Sequence, residues 1–68
     1  MQTTLYEITV RGRLSAALMN AFDGLTARPA VAATVIRGEV DQSALFGLLE
    51  RIDALGLELL AVRRAHSI

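Results

Sequence analysis

The chain has no cysteine, no tryptophan and no lysine, and only one proline, one tyrosine and two phenylalanines in 68 residues. Without cysteine there can be no disulfide framework, no cysteine–histidine zinc site and no ordinary iron–sulfur ligation. Charge of one sign is also lacking, since seven acidic residues balance seven basic ones. That balance argues against a dedicated electrostatic grip on nucleic acid or on an anionic membrane. Charged residues interrupt every apolar run, so no segment reaches the roughly 18–20 residues needed to span a bilayer. Met1 to Val10 holds no basic run followed by an apolar stretch, so no secretory signal is expected. The cytoplasm is the expected compartment. All the basic residues are arginine, a bias that a genome rich in G and C would produce without any functional cause.

Hydrophobic residues are plentiful, at 53%, which is too apolar for a disordered chain. The length fits one small domain, expected over residues 1–68. At about 60 residues a domain buries only about 60% of its unfolded surface and is marginal. Small folds are commonly stapled by a disulfide, a metal or a partner subunit. Disulfides are impossible here and metal ligands are scarce, so self-association is the expected staple.

Leu5 to Gly12 alternates, with Tyr6, Ile8 and Val10 on one side and Glu7, Thr9 and Arg11 on the other, as a strand with one face on a core. Leu14, Leu18, Ala21, Phe22 and Leu25 recur at helical spacing, so a helix is predicted from Leu14 to Gly24, with Ser15 as N-cap and Gly24 as terminator. Leu25 to Arg28 is a weak strand, Arg28 to Ala30 a turn around Pro29, and Val31 to Val40 a further strand. Asp41 is placed to cap the strongest helix, Gln42 to Leu55, whose stripe is Leu45, Leu48, Leu49, Ile52 and Leu55; Gly56 follows as C′. Leu57 to Arg64 is a last strand with apolar residues on both faces, predicted to be buried on both sides, in the subunit or across an interface.

Strand, helix, strand, strand, helix, strand is the split β-α-β, or ferredoxin-like, pattern. The expectation is an α+β sandwich: a four-stranded antiparallel sheet with two helices on one face. The other face is left open, carrying Leu5, Glu7, Thr9 and Arg11, joined by Arg37 or Arg63. A homo-oligomer, most simply a dimer, is the expected assembly. Leu5, Thr9 and Leu59 are its candidate interface residues, with Phe46, which lies off the helix stripe beside Gln42, Glu50 and Asp53.

No catalytic constellation is visible, and no cofactor is expected. His66 lies three residues from the chain end with no orienting partner near it. Glu39 and Asp41 could share a cation, but they read better as a cap and a favourable charge at the positive end of a helix. Ser15 and Ser43 fit helix starts better than nucleophiles. Arg11-Gly12 and Arg37-Gly38 each place an arginine beside a glycine near a strand end, the strongest hint of a small anionic ligand. Arg63 and Arg64 could touch RNA, but a nucleic-acid-binding sheet of this kind displays aromatics, and none is expected on the open face. No nucleic-acid or membrane partner is expected.

Tyr6 to Gly12 (YEITVRG), Phe22 to Leu25 (FDGL), Thr34 to Gly38 (TVIRG), Asp41 to Leu49 (DQSALFGLL), Leu55 to Leu57 and Val62 to Arg64 resemble a family of very short stand-alone bacterial proteins with no established activity. In that family a histidine often stands where this chain has Phe46, and a role resting on it would be absent here. The resemblance implies one compact domain and transfers no site residue. The element order is also similar to that of regulatory domains that bind amino acids, pair through their sheets and hold effectors at the interface. That likeness implies a small-molecule sensor as the alternative to an interaction or assembly module.

Overall fold

A computed structural model describes residues 2–20, 22 and 24–65. The expectations at Ala21 and His66 lie outside them. The elements are β1 (Thr4–Arg11), α1 (Ala16–Asn20), β2 (Thr26–Ala30), β3 (Ala33–Val40), α2 (Gln42–Ala54) and β4 (Leu59–Arg64). The four strands form one sheet in the order β2-β3-β1-β4, and every neighbouring pair is antiparallel. The fold is α+β, with a four-stranded antiparallel sheet and two helices.

β1 is central because its alternation works on both sides. Ile8 pairs with Ile36 of β3 and Val62 of β4, and Glu7 pairs with Arg37 and Arg63. Cross-strand partners share a face, so one face collects apolar side chains and the other charged ones. Ile8, Val10 and Ile36 meet Leu45, Leu48 and Ile52 of α2, with Leu14 and Phe22 from the segments flanking α1.

α2 begins where Asp41 caps it, its Oδ1 accepting from the Ala44 N–H at 2.7 Å. It ends in a Schellman turn: Gly56 N–H donates to Asp53 O and Leu57 N–H to Ile52 O. Gly56 takes the left-handed φ of 74° that this turn requires. Leu57 then packs against the core.

α1 is shorter than the predicted Leu14–Gly24 helix, covering five residues. Ser15 does cap it, through Leu18 N–H at 3.3 Å. After Met19 the chain continues in tighter turns, Phe22 N–H to Met19 O and Leu25 N–H to Phe22 O. A helix this short has little cooperative stability of its own. Leu14 precedes the helix yet is buried.

The hairpin differs from the predicted one. Pro29 lies within β2, opposite Thr34, and the turn is Val31-Ala32. β2 is an edge strand, where a missing N–H need not break a ladder.

β4 corrects the prediction of a strand buried on both sides within the subunit: it lies at the sheet edge and every residue in it is exposed in the single chain. The physical reason is its place as the last strand in the sheet order, and a β-bulge resets its faces. Thr9 pairs with Ala61 but Val10 with Leu59, leaving Leu60 as the extra residue. Leu59 therefore shares the face of Val10, while Leu60 and Val62 share that of Ile8. The alternation in the sequence assigns these leucines to opposite faces; the bulge brings them to one.

Candidate functional site

Three surfaces could do work: the open sheet face, a cleft beside α2, and the β4 edge. On the open face, Glu7 sits between two arginines, 3.7 Å from Arg37 and 3.1 Å from Arg63. Its side chain is largely covered, whereas both arginines are exposed. Arg11 pairs with Glu58 at 2.8 Å, bridging β1 to the segment before β4. Thr9 lies in a row with Val35 of β3 and Ala61 of β4, and Leu5 opposes Glu39. Leu5, Thr9 and Arg11 thus lie on one face with Arg37 and Arg63 both present.

The arginine–glycine pairs do not converge. Arg37 is opposite Glu7, and Arg11 is four residues further along β1, about 13 Å at the usual strand rise. Gly12, at φ 84°, is occupied by backbone bonding: its N–H donates to Ala32 O at 2.8 Å and its carbonyl accepts from Thr34 Oγ1 at 2.8 Å. Gly38 serves packing, because the Leu25 side chain occupies the space that a Cβ there would need. Arg37 and Gly38 border a shallow depression with Leu5, Thr26 and Glu39. Asp41 is engaged as the helix cap, and Glu39 accepts from Thr3 Oγ1 at 3.3 Å. His66 is outside the described residues.

A cleft of about 400 Å³ runs between α2 and the segment leading into β2, with Phe22, Leu25 and Leu48 as apolar wall, Gly47 and Arg51 on the helix side and Glu39 at the sheet. The sequence contains one trace of it: Gly47, in the middle of a helix, where a Cβ would meet no neighbouring atom within 4 Å. Packing does not require that glycine.

The third surface is apolar. Apart from Val31 at the hairpin tip, the exposed large hydrophobic residues among the described ones are Phe46, Leu55, Leu59, Leu60 and Val62. Leu59 and Leu60 are each 44% exposed and Val62 38%. At 3.6 residues per turn, Phe46 and Leu49 lie on the flank of α2 opposite Ala44, Gly47 and Arg51. The latter three border the cleft on the β2–β3 side. Phe46 and Leu49 are therefore on the flank turned away from that cleft and from β2. Phe46 and Leu59, two of the candidate interface residues, are among these exposed groups; Leu5 and Thr9 fall on the open face. The bulge in β4 has no signature in the sequence.

No helix among the described residues is long and apolar enough to cross a membrane. No curated protein and no solved structure matches the chain. A family described as a domain of unknown function, DUF8691, matches residues 5–63, from the second residue of β1 to the last but one of β4. The match takes in every element of the fold, and the chain belongs to this DUF8691 family.

Proposed function

We propose that this chain is a non-enzymatic, self-associating domain of ferredoxin-like architecture that works in the cytoplasm as an interaction or assembly module. The architecture is supported by the strand order: β1 and β2 both run antiparallel to β3 and flank it, while β3 and β4 flank β1 in the same way. Two β-α-β units split by an intervening strand give this arrangement. The observation that carries self-association is the exposed apolar edge strand, Leu59, Leu60 and Val62, with Phe46 exposed on α2. A small core that leaves large hydrophobic groups together on its rim gains stability by covering them. Light scattering over a dilution series into the low micromolar range tests the reading. The expected mass is twice 7.3 kDa. A mass of 7.3 kDa throughout would contradict it.

The cleft favours a second reading, a sensor of a small anionic molecule, at an address other than Arg11-Gly12 and Arg37-Gly38. Its apolar wall suits the hydrocarbon part of a compact aliphatic acid, with Arg51 and Glu39 both on its border. Citrate or a short aliphatic acid would then raise the melting temperature, and Gly47→Leu, which fills the cleft, would remove the rise. No rise with the unaltered chain would end this reading.

A further inference from the structure

We propose that the partner is a second copy of this chain, joined by antiparallel pairing of the two β4 strands about a two-fold axis at Ala61, so that two four-stranded sheets become one of eight strands. This rests on the self-association reading and names the surface that carries it.

The two sheet edges are unequal. β2 carries Pro29, which has no N–H to donate, and is five residues long. β4 has no proline, and its outer side offers backbone N–H and C=O groups to a further strand. The pattern in β4 is self-complementary about Ala61; centred on Leu60, the bulged residue would lie on the axis and Val62 would oppose Glu58, outside the strand. A two-fold axis normal to the sheet keeps faces matched, so a residue must oppose one of its own parity. Centred on Ala61, Leu60 opposes Val62 of the other copy, and the contact occurs twice. Centred on Arg63, two like charges would face each other, which is destabilising. Centred on Val62, the two Arg63 side chains would be diagonal neighbours. The Ala61 register keeps them four residues apart along the strands, about 13 Å. Arg63 also has Glu7 of its own subunit at 3.1 Å, so its charge is offset before the copies meet.

The helices can add to the contact. Phe46 is exposed on the flank of α2 away from the cleft, so each copy can bring apolar cover toward the joined strands. The paired backbones supply directionality, and the Leu60–Val62 contacts with Phe46 supply apolar burial.

The test is the solution mass of Val62→Glu, Leu60→Lys and Val35→Glu beside the unaltered chain, with circular dichroism to verify folding. Val62 and Leu60 are partly exposed, and two variants guard against one failing to fold. Val35 lies on the open face, opposite Thr9. The expected result is a dimer for the unaltered chain and for Val35→Glu, and a monomer for Val62→Glu and Leu60→Lys. A dimer that survives both β4 variants, or that Val35→Glu dissociates, would overturn the β4 pairing while leaving self-association standing. A monomeric unaltered chain would overturn both.

Discussion

Thr34 is fully buried and polar, and its hydroxyl is used twice. It donates to the Gly12 carbonyl at 2.8 Å and accepts from the Leu14 N–H at 3.3 Å, clasping β3 to the loop between β1 and α1. Thr34→Val keeps the shape and leaves both backbone groups unpaired. Its expected cost is about 1–3 kcal/mol, read by urea denaturation, with Thr34→Ser closer to the original. Ala32 presents the opposite case. It is a non-glycine residue at φ 53°, in the hairpin turn. The left-handed region costs an L-residue about 1 kcal/mol or more, so Ala32→Gly is expected to raise the unfolding midpoint. A midpoint that falls would mean the turn is held by something other than the backbone angle. Neither effect is legible in the sequence. The Thr34 partners are some twenty positions away, and Val-Ala is not a recognisable turn pair.

At the scale of elements, legibility followed local chemistry. α2 is readable because its stripe, its Asp41 cap and its Gly56 terminator agree. β1 is readable because its alternation is clean over the strand. α1 is shorter than its stripe predicts because Leu14 and Phe22 are buried from turns at either end, and burial alone resembles a stripe. In β4 a single bulged residue, Leu60, breaks the period of two on which a face assignment rests. Arg11-Gly12 and Arg37-Gly38 are alike in type but separated along the sheet, and the cleft has no local pattern because segments distant in sequence build it. Gly47 permits a test at this scale. A mid-helix glycine is about 1 kcal/mol worse than alanine, and the space beside it is open. Gly47→Ala should therefore stabilise the chain by about that amount, seen as a higher thermal midpoint. If it destabilises instead, a neighbour must occupy the space beside α2 in solution.

For the whole molecule, the question is how so small a core suffices. The fully covered apolar cluster is Ile8, Val10, Leu14, Phe22, Ile36, Leu45, Leu48 and Ile52. A core of this size supplies only about 3–5 kcal/mol beyond the entropy of folding. In the proposed dimer, covering β4 would add to that core from outside the subunit, and stability would then depend on concentration. The absence of cysteine allows a direct test of the β4 pairing. A cysteine placed at Ala61 would have its copy directly opposite across the two-fold axis. Opposed residues in antiparallel strands lie about 4.5–5.5 Å apart at Cα, within the range a disulfide spans. Oxidation of Ala61→Cys at low micromolar concentration is the most direct measurement, with Arg28→Cys on the other edge as reference. Rapid, near-complete conversion of Ala61→Cys to a covalent dimer is expected, while Arg28→Cys stays monomeric or links slowly. Equal and slow cross-linking of the two would contradict the β4 pairing.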